Sequence, residues 1–201
     1  MLIKLYNTNP NSNEIRKISV ILKDGGVIII PTDTVYAFAC DIFQHAAVER
    51  ITKLKKHDMR RANLSFVCES ISQISEYAKI NDAAFRLLKM HLPGPFTFIL
   101  PGSNRLPKLF KNRKNVGVRI PDNDIVKSLV EQLGNPLMVS SIFTDEETTE
   151  YATDPELIEE KYGHLVDLVI DGNHGGLLHS TIVDCTTSEF EIIRQGAGQL
   201  V

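Results

Sequence analysis

Long apolar runs, paired cysteines, a phosphate-binding glycine loop and a strong excess of one charge are all missing from this sequence. No apolar stretch approaches the roughly 18 residues that a membrane-spanning helix needs. Met1-Leu2-Ile3-Lys4-Leu5 lacks the basic start, apolar middle and cleavage site of a secretory signal. The expectation is a soluble, cytoplasmic protein with no membrane partner. The three cysteines, Cys40, Cys68 and Cys185, are far apart, with no C-x-x-C pair and no histidine at metal-ligand spacing. They read as buried free thiols, as suits a reducing compartment. No G-x-x-x-x-G-K-[ST] occurs, and neither Gly25-Gly26 nor Gly175-Gly176 precedes the lysine and hydroxyl of a P-loop, which argues against a P-loop NTPase. A net charge of -3 gives no global field for nucleic acid, so any polyanion site must be a local patch. His45, His91, His164, His174 and His179 are too scattered for a ligand set, and Asp122, Asp124, Asp145, Glu146 and Glu147 read as helix starts and polar loop. No resident metal is expected.

What is present is an enzyme-sized core. With 201 residues and 43% apolar content, the chain can bury roughly 70% of its unfolded surface. Short β-branched runs alternate with helical patterns, an α/β reading. Strands are expected at Leu2 to Tyr6, Val27 to Ile30, Ser65 to Cys68, Phe96 to Leu100, Val116 to Ile120, Leu137 to Ser140, Leu168 to Ile170, Thr181 to Asp184 and Glu191 to Arg194. Helices are expected at Glu14 to Asp24, Ala46 to Lys55, Ile71 to Tyr77, Asp82 to His91, Asp124 to Leu133 and Pro155 to Tyr162. Met90, Met138, Phe38, Phe66, Phe85, Phe96 and Phe98 are assigned to the core. No repeat or linker divides the chain, so 1–201 reads as one domain.

The run Val27-Ile28-Ile29-Ile30 ends at Pro31-Thr32-Asp33-Thr34-Val35-Tyr36. Proline has no N–H for a strand ladder, so the hydroxyls and carboxylate are delivered to the strand's C-terminal end, where open α/β sheets bind ligands. The alternative is an ordinary turn in which Thr32 and Asp33 cap their own backbone. Arg119 alternates with Val118 and Ile120, so its guanidinium points away from its apolar neighbours, toward an anion or toward solvent. Lys55 is a compact charge at a helix end, suited to phosphate or carbamate oxygens or simply to the helix dipole. Gly172 to Gly176 reads as a flexible turn or a lid.

These segments resemble the motifs of the YrdC/YciO family from about Asp24 to Gly196. Pro31 to Tyr36 matches PT-[ED]-T-VY, and Leu54-Lys55-Lys56-His57 matches L-K-x-R. Leu92 to Thr97 matches W-P-G-P-x-T, and Val118 to Pro121 matches V-R-x-P. Ser180 to Asp184 matches S-T-[IV]-[VI]-D, and Ile193 to Gly196 matches [IL]-R-x-G. The resemblance implies a twisted, open mixed sheet flanked by helices, with a concave basic pocket. It implies threonylcarbamoyl-AMP synthesis from L-threonine, bicarbonate and ATP, with Mg²⁺ accompanying the nucleotide and pyrophosphate released, for modification of adenosine 37 of tRNA. Lys55 and Thr34 take catalytic roles in that scheme. Thr32, Tyr36 and Ser180 hold the amino acid and carbamate, while Lys55, His57, Arg119, Ser140, Thr181 and Arg194 meet the nucleotide phosphates.

Two departures place the chain nearer the YciO-like branch. His57 replaces the family's second cation, an arginine, and Ile142 takes the asparagine position of S-x-N if Ser140 is its serine. Losing polar contacts worth about 1–3 kcal/mol each would weaken or redirect the reaction. The alternatives are a nucleotide-binding module without turnover, or a tRNA or double-stranded-RNA binder. The latter would use Lys53, Lys55, Lys56, His57, Arg60 and Arg61 together with Lys108, Lys111, Arg113 and Lys114.

Overall fold

Strand segments of three to six residues assemble into one ten-stranded mixed sheet. The computed structural model describes residues 1–55, 64–142 and 150–200. Its strands are β1 Leu2–Lys4, β2 Ile28–Ile30, β3 Ala37–Asp41, β4 Ser65–Val67, β5 Phe96–Pro101, β6 Asn115–Arg119, β7 Leu137–Ser141, β8 Leu168–Asp171, β9 Thr181–Asp184 and β10 Glu191–Arg194. The helices are α1 Ser12–Lys23, α2 His45–Leu54, α3 Ile71–Tyr77, α4 Asp82–His91, α5 Asp124–Leu133, α6 Glu150–Thr153 and α7 Pro155–Tyr162. In space the strands run β1-β8-β2-β3-β7-β4-β6-β5-β9-β10. β5 and β6 pair antiparallel, as their sequence proximity suggests.

Strand alternation sends each sheet residue to one of two layers. The main core lies under α2, α3, α4 and α7, and takes Ile29, Phe38, Cys40, Phe66, Phe96, Phe98, Val116, Val118, Met138 and Val183. The second core lies under α1 and α5, which bring Ile15, Ile18 and Leu22 against Leu129 and Val130. Its buried sheet residues are Ile28, Ile30, Ala37, Ala39, Val67, Leu137, Val139, Leu168 and Ile170, from β2, β3, β4, β7 and β8, with Ile3 of β1 packed against them. On that face β6, β5, β9 and β10 contribute nothing to the second core, and among the described residues the helical cover ends at β4.

Local signals explain the boundaries. Asn11, Asn81 and Asn123 cap α1, α4 and α5 by accepting backbone N–H groups. α1 stops at Asp24 before Gly25, whose φ of +86° suits glycine. β3 departs from expectation: Ala37-Phe38-Ala39-Cys40-Asp41 has no β-branched residue, yet it pairs with both β2 and β7 and is wholly buried. Burial on both faces overrides its weak intrinsic preference. Phe85 and Met90, expected in the core, are exposed on the outer side of α4, because Ala84 and Leu88 occupy its inward face. All three cysteines are buried and free. Among the described residues no helix is long and apolar enough to cross a membrane.

Candidate functional site

Among the described residues, the half of the second face that no helix covers carries polar side chains together with Ile99 and Ile182. Cross-strand partners project to the same side, so Val67 fixes the direction of Arg119, and Val139 fixes that of Ser65 and then Gly117. Thr97 pairs with Ile182 and Arg194 with Ile182, which places both side chains on this same face. The floor of the site is therefore Ser65, Gly117, Arg119, Thr97, Ser180 and Arg194.

Arg119 occupies its centre. Its Nη2 donates to Asp33 Oδ1 at 2.6 Å and to Thr34 Oγ1 at 3.2 Å. The two charged side chains are 8% and 9% exposed, so this is a buried ion pair and not the solvent-facing arginine that the strand pattern also allowed. The other carboxylate oxygen of Asp33 accepts the Asp122 N–H at 3.1 Å, tying the end of β2 to the turn that opens α5. Burial lowers the Arg119 pKa while Asp33 raises it. Its Nε–H is buried with no hydrogen-bond partner among the described residues. Such a donor costs about 1–3 kcal/mol unless an acceptor reaches it, and an anion placed on the floor would supply one.

The threonines of the β2–β3 turn hold this arginine. Thr32 Oγ1 donates to the Val35 carbonyl at 2.8 Å and lies 3.0 Å from Thr34 Oγ1. Each hydroxyl has one proton, so Thr34 is the donor of that pair and accepts from Arg119. Thr32 and Thr34 thus orient Arg119 and do not present free donors, a different use from the direct ligands expected. The second cation is Arg194, whose Nε and Nη2 donate to the Ser180 carbonyl at 3.2 and 2.8 Å. Its pKa is lowered first by burial and then by the charge of Arg119. Two guanidiniums that repel one another beside a single carboxylate make a floor that favours an added anion.

Other expected site residues lie elsewhere. Ser140 pairs with Phe38 and so faces the main core, as do Met138 and Ile142 on the same strand period. Ser141, paired with Ala37, is the serine on the site's face. Ile142, the residue at the expected asparagine position, is 1% exposed and packs in the main core. Thr181 faces Phe96, and its hydroxyl bonds the Gly198 carbonyl and the Gly196 N–H, tethering the C-terminal loop away from the floor. Tyr36 is buried beneath the 172–176 loop. Its hydroxyl donates to the Asn173 carbonyl at 2.7 Å and accepts the Gly172 N–H at 3.0 Å. Burial raises its pKa, keeping the phenol neutral. That loop is latched further by Gly175 N–H on the Thr153 carbonyl and Gly176 N–H on the Thr34 carbonyl. Lys55 is the C-cap of α2. His57, Lys56, Arg60 and Arg61 lie outside the described residues, as do Thr144, Asp145, Glu146 and Glu147.

The structure adds Thr97 and Gly117 to the residues expected from the motifs, and gives Asp33, placed by the sequence only at the end of the strand, a defined partner in Arg119. Gly117, two residues before Arg119, shares its face by strand period, and Thr97 closes the proline-glycine motif after β5 begins.

The family model Sua5_yciO_yrdC, described as telomere recombination, matches residues 20–196. The chain belongs to the Sua5/YciO/YrdC family. E. coli YciO is 35% identical over 199 residues, 98% of this chain and 95% of that one. The crystal structure of E. coli YciO aligns with a TM-score of 0.91 at 33% identity, covering 99% of this chain and 97% of that one. Mouse threonylcarbamoyl-AMP synthase is 30% identical over 184 residues, 87% of this chain and 64% of that longer protein. P. abyssi Sua5 complexed with L-threonine aligns with a TM-score of 0.86 at 26% identity, covering 98% of this chain and 57% of that one. The twisted mixed sheet expected from the motifs is thus shared with both YciO and Sua5.

Proposed function

We propose that the protein is a nucleotidyltransferase of the threonylcarbamoyl-AMP synthase class, with activity weakened or redirected toward a related acyl adenylate. The observation that carries this reading is the buried Arg119, whose Nε has no partner among the described residues, facing an uncovered polar floor beside Arg194. An amino-acid carboxylate and a phosphate chain both need such fixed donors. In the proposed reaction the amino group of L-threonine and bicarbonate combine to a carbamate with loss of water. A carbamate oxygen then bonds the α-phosphorus of ATP as the bond to pyrophosphate breaks. Holding these groups in line and offsetting the charge on the departing pyrophosphate would supply most of the rate.

Among the described residues no group of three or more His, Cys, Asp or Glu could hold a metal ion, and both oxygens of Asp33 are engaged. Mg²⁺ would therefore enter with the triphosphate as part of the substrate. Lys55, at the edge of the segment carrying His57, is proposed for the phosphate end. The name of the mouse relative and the threonine bound to P. abyssi Sua5 support the choice of substrates.

The RNA-binding alternative would use the exposed Lys108, Lys111 and Lys114 between β5 and β6. The aromatic of that loop, Phe110, is 1% exposed, so it offers no platform for base stacking and the enzyme reading is preferred. The deciding assay is pyrophosphate release from ATP, Mg²⁺ and bicarbonate, with and without L-threonine. Threonine-dependent release is expected. No release at any protein concentration would end the synthase reading, and binding of ATP without release would make the protein a nucleotide-binding module.

A further inference from the structure

We infer that Thr97, given room by Gly117, is a positioning residue that fixes Arg194 through Ser180. The inference rests on the proposal that Arg119 and Arg194 receive a substrate anion. Thr97 Oγ1 and Ser180 Oγ lie 2.8 Å apart. Both residues are 5% exposed, so neither hydroxyl is held by bulk solvent. Arg194 Nη2 lies 3.4 Å from Ser180 Oγ and 2.8 Å from the Ser180 carbonyl, so one serine is grasped twice by the same nitrogen. Ser180 Oγ can accept from Arg194 and still share one proton with Thr97 Oγ1, whichever of the two hydroxyls donates. A relay of Thr97, Ser180 and Arg194 then runs across β5, β9 and β10.

Gly117 borders the near end of this relay. A Cβ built on it would stand 3.3 Å from Thr97 Cγ2 and 3.0 Å from Ser65 Oγ. The absence of a side chain at 117 leaves room for the Thr97 methyl on that side, with the hydroxyl toward Ser180. A side chain at 117 would press on this methyl and on Ser65 Oγ, so Thr97 would have to give by a few tenths of an ångström, which strains its 2.8 Å contact with Ser180. Gly117 also shares a face with Arg119 two residues on, so the strand that presents one guanidinium makes room for the relay to the other.

The test is calorimetric titration of the full chain with inorganic pyrophosphate, alongside L-threonine. Thr97→Val keeps the methyl contact and removes the hydroxyl, whereas Thr97→Ser keeps the hydroxyl. The expected result is pyrophosphate binding weakened about tenfold by Thr97→Val and restored to within about twofold by Thr97→Ser. Gly117→Ala should weaken it similarly, and Arg194→Ala should weaken it more. L-threonine affinity should move less than pyrophosphate affinity in all four. Unchanged pyrophosphate affinity in Thr97→Val would overturn the relay, as would an unmodified protein that does not bind pyrophosphate. If Gly117→Ala fails to fold, the two Thr97 variants decide alone. An unmodified protein that binds pyrophosphate but releases none from ATP would defeat the proposed reaction and leave the relay open to the same comparison.

Discussion

On the face that carries α1 and α5, the half of the sheet from β8 to β7 presents Ile28, Ile30, Ala37, Ala39, Leu137, Val139, Leu168 and Ile170. The half beyond β4 presents Thr97, Gly117, Arg119, Ser180 and Arg194 on the same face of the same hydrogen-bonded ladder. Both halves share the main core on their other face, where Phe38 and Met138 continue into Val118, Phe98 and Val183. From β6 to β9 the backbone rests on that core, whereas β10 adds no buried residue to it and exposes Ile192 and Ile193; among the described residues the halves differ further in whether a second helical layer lies on top. Where it stops, polar side chains from β6 to β9 gain room without a loss of support from beneath. The pairing of Asp33 with Arg119 and the Asp122 N–H marks this border, because it joins the end of a covered strand to the start of the last covering helix.

The largest effect that separates the halves should come from Arg119→Ala. It leaves the Asp33 carboxylate buried without its cation, which costs about 3–5 kcal/mol of stability. It should also lower pyrophosphate release at least a hundredfold, even when corrected for the folded fraction. Denaturant melts and turnover on the same preparation check both. Wild-type turnover per folded molecule would remove Arg119 from the site. On the covered half, Leu129→Ala opens a cavity between α5 and the sheet and should cost about 2–5 kcal/mol. Its pyrophosphate affinity per folded molecule should remain within about twofold of wild type, since the two halves share backbone but not side chains. A large affinity loss there would show that the halves are coupled.

How much of this division was legible in the sequence depends on the residue. The direction of Arg119 followed from strict alternation with Val118 and Ile120, and its burial beside Asp33 did not, because that pairing spans 86 residues. The serines at 140 and 141 are adjacent, and a one-residue step in a strand exchanges the faces, so the sequence does not say which of them shares the face of Arg119. Only the pairing of Ser140 with Phe38 and Ser141 with Ala37 settles which one faces the site. Thr181 looked like a phosphate donor because its hydroxyl opens a strand, yet its partners come from residues 196 and 198, beyond the motif that suggested it. β3 escaped notice because alanine and cysteine carry little strand preference of their own. Gly117 and Thr97 gain meaning only once β5 and β6 are seen side by side.

A smaller effect concerns the latch between the halves. Tyr36→Phe removes the hydroxyl that serves both Gly172 and Asn173. The expected cost is about 1–2 kcal/mol, felt as faster hydrogen exchange across 172–176 more than as a shift of the global melt. Unchanged exchange at Gly172 would mean that the remaining bonds from Gly175 and Gly176 hold the loop unaided.

The finest comparison uses two thiols beneath the sheet. Cys40 on β3 lies in the main core below the covered half, and Cys185 follows β9 below the uncovered half. Burial, assisted by Asp184, pushes the Cys185 pKa from 9.0 up to about 12, and burial raises that of Cys40 as well. A thiol whose folded pKa is raised contributes stability that is present below its unfolded pKa. That stability is lost as pH climbs, because the unfolded chain then releases a proton that the fold retains. Between about pH 9 and 12, Cys185→Ala should therefore reduce the alkaline slope of stability by up to one proton, about 1.4 kcal/mol per pH unit. Labelling with a thiol reagent at pH 8 separates the two sites further. If the uncovered half opens locally more readily, Cys185 should react several-fold faster than Cys40 while both remain slower than an exposed thiol. Equal rates would mean that the main core alone sets the opening of both halves, and that the missing helical layer costs the polar half nothing in rigidity.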